Sequence, residues 1–122
     1  MRVIGKRFEK APEVMEIEND LKEIQEFVGG YIEVPFVSSG LSDRNIVAVV
    51  NEEASIEGLK PTLALVRNGQ VAGCLLGQLF FCSTEDGEFI GLNDEQVEYL
   101  MNHIVVGGAS NNEGLVVDIL HI

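Results

Sequence analysis

With 122 residues, 46% of them hydrophobic and 23% charged, the chain suits one domain around one core and is too apolar for a disordered segment. Its formal net charge of −12 argues against direct contact with nucleic acid phosphates or an anionic membrane surface, and leaves basic proteins as the partners that charge favours.

Charge is unevenly placed: Arg2, Lys6, Arg7 and Lys10 stand near the start, and no Lys or Arg follows Arg67, whereas Glu85, Asp86, Glu88, Asp94, Glu95, Glu98, Glu113 and Asp118 do. A solvated face is the plain reading. Mimicry of a phosphate array is the sharper one, to be dropped if the acids are scattered over all sides. Cys74 and Cys82 lie in an apolar run without a Cys-x-x-Cys pair or a suitably spaced His, and read as buried free thiols in a reducing cytoplasm. Nothing resembles a signal peptide, and no apolar run approaches the ~18–20 residues that span a bilayer.

In chain order, Val3, Ile4 and Phe8, then Val14, Met15 and Ile17 beyond the Ala11-Pro12 break, predict a hairpin. Leu21, Ile24, Phe27 and Val28 share one helical face, with Asp20 and Glu23 set for a capping box and Gly29-Gly30 ending the helix. Residues 31–37 alternate as a half-buried strand with Ile32, Val34 and Phe36 inward, and Pro35 marks an edge or an end. After a turn-rich loop over 38–43, Ile46 to Val50 predict a central strand covered on both faces. Gly58 and Pro61 interrupt the pattern of 54–67, where Leu59, Leu63 and Val66 could line one side of a short helical turn.

Asn68-Gly69 is a tight-turn dipeptide opening the apolar run 71–82, read as one long buried strand in which Gly73 and Gly77 mark a bulge or a close backbone approach, of packing more commonly than of a ligand. Asp86-Gly87 turns a hairpin into the short return 88–90. Asn93 and Gln96 form a capping box for a second helix whose core face is Val97, Leu100, Met101 and Ile104. Gly107-Gly108 and Ser110-Asn111-Asn112 then link flexibly to an apolar terminal strand, Leu115 to Ile122, expected on a sheet edge of this copy or of a second one, which would make a homodimer.

The sequence Glu18-Asn19-Asp20-Leu21, then Val28-Gly29-Gly30-Tyr31-Ile32-Glu33-Val34, Asn51-Glu52-Glu53, Gly58-Leu59 and Gly87-Glu88-Phe89 resembles the family called domain of unknown function 3846 over roughly residues 1 to 104. The resemblance implies a small protein of phage, mobile-element or bacterial type. It brings no established reaction, cofactor or catalytic residue.

Chemistry is sparse. His103 reads as a cation satisfying carbonyls at a helix end, His121 lies in the terminal strand, and no Ser or Cys stands in a nucleophile elbow. No glycine-rich phosphate cradle or metal-ligand spacing is present, so no cofactor, metal or catalytic residue is expected. The strongest polar cluster is Asn51-Glu52-Glu53 at the end of the central strand, with Tyr31, Glu33 and Arg67 as candidate neighbours; a solvated turn is the plain alternative.

These features predict an α+β fold, a mainly antiparallel sheet of about five to seven strands with two amphipathic helices on one face. The function expected first is a non-enzymatic cytoplasmic interaction protein with a basic partner. A small-ligand module at Asn51–Glu53 comes second and an enzyme last.

Overall fold

The computed structural model describes residues 1–110 and 116–122. Its elements are β1 (Arg2–Lys6), β2 (Glu13–Glu16), α1 (Leu21–Val28), β3 (Ile32–Glu33), α2 (Ser39–Ser42), β4 (Ile46–Asn51), β5 (Pro61–Arg67), β6 (Gln70–Leu76), β7 (Leu79–Glu85), β8 (Glu88–Ile90), α3 (Asp94–His103), β9 (Ile104–Ser110) and β10 (Val116–His121). The class is α+β, but the strands divide between two sheets. One runs β2-β1-β7-β4-β3 with β8 also on β7; the other runs β6-β5-β10-β9. Pairing is antiparallel except between β10 and β5.

Side-chain alternation explains the layers. On β7, Phe80 and Cys82 point with Val3 and Val49 toward α1, where Ile24 and Val28 cover them. Leu79 and Phe81 point the other way with Ile4, Ile46, Ala48 and Val50, into a core shared with Leu63, Leu65, Leu75 and Leu120 of the second sheet and Leu100 of α3. Strand β4 is therefore covered on both faces, as its Val-rich run predicts. The two main helices pack on opposite sides of the larger sheet and not on one face, because α1 covers the side that the second sheet leaves open.

The second sheet comes from a break in the long apolar run. Gly77, at φ +73°, and Gln78 separate β6 from β7 and send the two halves into different sheets, so 71–82 is not one strand. The crossing is tied down locally: the Gly77 N–H donates to Lys60 O at 2.9 Å, Thr62 Oγ1 donates to Gly77 O at 2.7 Å, and Gln78 Nε2 donates to Phe27 O at 2.7 Å. Residues 61–67 form strand β5 instead of a helical turn; Pro61 occupies the first strand position, where a missing N–H is tolerated.

Other local differences have equally simple causes. Asp20 caps α1 through the Lys22 N–H at 2.8 Å and not through Glu23, while Asn93 and Gln96 do form the reciprocal box at the start of α3. Only Ile32–Glu33 pair as β3; before Pro35 the chain leaves the sheet, and Phe36 turns out to solvent at 73% exposure. The 38–43 loop contains α2, capped by Ser38 Oγ, which accepts from the Leu41 N–H at 3.2 Å. Met101 is exposed, one position past the Val97, Leu100, Ile104 stripe. Cys74, on edge strand β6, is exposed, whereas Cys82 is buried in the core and its thiol is pushed up to about 12 by desolvation.

Gly107-Gly108 belong to β9 and are not a link, while Asn111, Asn112 and Leu115 lie outside the described residues. β10 finds its sheet within this copy. It sits between β5 and β9, which leaves it no free edge for pairing two copies. A buried ion pair joins the sheets: Lys6 Nζ of β1 lies 3.1 Å from Asp118 Oδ2 of β10 and also donates to the carbonyls of Arg7 and Lys10.

Candidate functional site

Asn51 closes strand β4 and is only 2% exposed. Its Oδ1 accepts from the Glu53 N–H at 2.8 Å, which holds the turn after the strand. Since a backbone N–H can only donate, the atom facing it is the oxygen, and the orientation of the amide follows. The Nδ2 group is then a buried donor with no protein partner. Such a group costs about 1–3 kcal/mol when left unsatisfied. The space it occupies exists because Gly30 has no side chain: a Cβ there would stand 3.1 Å from Nδ2 and 3.3 Å from Oδ1.

Asn51 is among the residues that line an open cleft of about 480 Å³. Four segments distant in sequence make its walls. The C-terminal turn of α1 contributes Glu26, Phe27, Val28 and Gly29; the stretch after β1 contributes Phe8; the turn before β5 contributes Glu57, Leu59 and Lys60; the sheet crossing contributes Gly77 and Gln78. Phe27 is set by an edge-to-face contact with Phe80, ring centroids 5.8 Å apart, and its ring also carries the Arg7 guanidinium at 5.6 Å. Lys60 Nζ lies 5.5 Å from the Phe8 ring centroid. The lining is thus mostly apolar, with two carboxylates and one ammonium among its charged groups and the negative end of the α1 dipole beside it.

Glu26 and Phe27 also line a second cavity, of about 460 Å³, formed with Met1, Glu16, Ile17, Glu18 and Glu23. A smaller hollow of about 180 Å³ lies where β3 and β6, the edge strands of the two sheets, approach, and includes Glu33, Asn51, Glu52 and Cys74.

Of the residues singled out by sequence, Tyr31, Glu33, Asn51, Glu52 and Glu53 are neighbours on the β3–β4 pair. Ile32 is opposite Asn51, Glu33 opposite Val50, and the Glu52 N–H donates to Tyr31 O at 2.8 Å. Their positions differ in kind: the Tyr31, Glu33, Glu52 and Glu53 residues are exposed and Asn51 alone is buried. Arg67 does not join them. It ends β5, whose first residue Pro61 is the one near the crossing, so it stands about 20 Å away along the strand. Phe8, Phe27, Leu59 and Gln78 carry no local signal as site residues; Gly77 does, as a glycine that permits a close approach within an otherwise apolar run.

Elsewhere, His103 Nδ1 contacts Tyr99 O at 2.7 Å and its ring stacks on Tyr99, with the Arg44 guanidinium 4.0 Å over that same tyrosine ring. Among the described residues no group of three or more His, Cys, Asp or Glu side chains could hold a metal ion, and no helix is long and apolar enough to cross a membrane.

Fold and site together define an α+β protein with an open, mainly apolar cleft that has the buried Asn51 in its lining. A family model described as a domain of unknown function (DUF3846) matches residues 1–105, and the chain belongs to that family. The matched region includes every residue that lines the cleft. No curated protein and no solved structure matches the chain.

Proposed function

We propose that the protein is a binding module and not an enzyme, its site the cleft beside Asn51, taking a largely apolar group that presents a hydrogen-bond acceptor to Asn51 Nδ2. The observation that carries this reading is the buried, unpartnered donor at the edge of an apolar cavity of ligand size. An acceptor placed there would recover most of what the bare amide costs. Two free cysteines agree with a reducing, cytoplasmic setting.

Phosphate mimicry has less support. The acids occupy both sides of the larger sheet, with Glu18, Glu23 and Glu26 around α1 and Glu95 and Glu98 on α3, and Asp118 is withdrawn into its ion pair.

The test is a thermal-shift screen of small carbonyl-bearing apolar fragments against the wild type and Asn51→Asp, which keeps the acceptor for the Glu53 N–H and removes the donor. Fragments should raise the wild-type melting temperature and lose that effect at least tenfold in concentration with the variant. Fragments that stabilise both proteins equally, or none that stabilise the wild type, would remove the assignment.

A further inference from the structure

We infer that the occupant of the cleft is a basic peptide segment of a partner protein, one apolar side chain seated beside Asn51 and Lys or Arg side chains lying along the acidic groove of α1. The inference rests on the cleft being the binding site and adds the chemistry of what enters it.

Three observations point this way. First, the apolar cleft and the acidic cavity are contiguous, since Glu26 and Phe27 line both. Second, the acidic cavity has Glu16, Glu18, Glu23 and Glu26 in its lining against one positive group, the Met1 amine, which already lies 3.1 Å from Glu16. Glu18, Glu23 and Glu26 are exposed and make no ion pair among the described residues, and Lys22, the one basic residue of α1, is outside the lining. Third, the apolar cleft that adjoins the acidic cavity has Asn51 in its lining, whose Nδ2 is a buried donor without an acceptor, and a peptide carbonyl is such an acceptor. An amphipathic groove, carboxylates leading to an apolar cavity lined in part by Asn51, is complementary to an amphipathic basic segment. Two cations oppose it: Lys60 in the cleft lining, its Nζ 5.5 Å from the Phe8 ring centroid, and Arg7, whose guanidinium lies 5.6 Å from the Phe27 ring centroid and is already paired with Glu13 at 3.0 Å.

The experiment is a display selection of short random peptides on the full chain, followed by titration of the enriched peptide by fluorescence anisotropy. Variants are Glu18→Gln/Glu23→Gln for the groove and Gly30→Ala for the cleft, where the added Cβ crowds the Asn51 amide; Asn51→Asp replaces Gly30→Ala if that variant melts early. Enrichment of Lys or Arg next to an aliphatic or aromatic residue is expected, with affinity falling about tenfold in the groove variant, about tenfold in the cleft variant and steeply with added salt.

Enriched peptides that carry basic residues alone and ignore Gly30→Ala would show non-specific attraction to an acidic protein and overturn the inference. Neutral or acidic peptides that depend on the cleft but not on Glu18 and Glu23, or polyamines that occupy the groove in place of any peptide, would overturn it while leaving the cleft as a site. If neither peptides nor carbonyl fragments bind, both readings fall.

Discussion

Lys6 and Asp118 carry opposite charges inside the protein, and they come from strands of different sheets. The lysine is well satisfied, with the Arg7 and Lys10 carbonyls beside the carboxylate. Asp118 is less so: Oδ1 accepts from the Gly107 N–H at 2.7 Å, but Oδ2 has only the 3.1 Å ion contact, without hydrogen-bond geometry. Removing one partner leaves a buried charge unpaired, so Lys6→Met should cost about 3–5 kcal/mol in urea unfolding. Adding Asp118→Asn to it should cost much less than the sum of the single losses, because no buried charge remains. Strictly additive losses would mean that the pair is not coupled across the sheets. Asn51 makes the contrast at the same scale. There the unsatisfied group is neutral, is paired on one side and bare on the other, and belongs to a residue that lines a cavity.

Elements were readable where local chemistry decides them. The Val-rich run of β4 and the Asn93–Gln96 box are complete within a few residues and form as their patterns predict; the stripe of α1 does so for Ile24, Phe27 and Val28, whereas Leu21, in its first turn, is exposed. Asn68-Gly69 and Asp86-Gly87 likewise turn hairpins, with positive φ at all four residues. Residues 71–82 were read as one strand because hydrophobicity alone cannot say that one half faces one sheet and the rest another. Only Gly77, in a left-handed conformation, marks the change. Alanine there is strained by its φ and would bring a Cβ within 2.8 Å of Leu59 Cδ1, in the wall of the cleft. Gly77→Ala should therefore lower stability by about 1–3 kcal/mol and weaken fragment binding as Leu59 is displaced. A variant with unchanged stability and binding would show that the crossing does not shape the site.

The whole molecule depends on a segment beyond the family-matched region, which ends at residue 105. Strand β10 lies inside its sheet, Leu120 is fully buried, Asp118 holds Lys6, and the Ile122 N–H donates to Val66 O at 2.8 Å. A chain ended at residue 110 would expose both neighbouring strands and strip the core between the sheets. It should melt without a cooperative transition in circular dichroism, and a sharp transition near that of the full chain would contradict this. The same scale explains why the site was only partly legible. Asn51 could be named from its place at a strand end, but Phe8, Phe27, Leu59 and Gln78 meet it through sheet order and packing, which no local pattern encodes. No local pattern ties Arg67 to Asn51, and the direction of β5 carries it away.

The first measurement to make is the side-chain amide signal of Asn51 in a nitrogen–proton correlation spectrum, followed while the enriched peptide or a bound carbonyl fragment is titrated in. Capture of an acceptor by Nδ2 should shift the two amide protons of Asn51 downfield, with saturable changes at the Phe27, Val28 and Gln78 backbone signals. Saturable binding that leaves the Asn51 amide unmoved, with shifts gathered elsewhere on the surface, would show that the cleft is not where this protein holds its ligand.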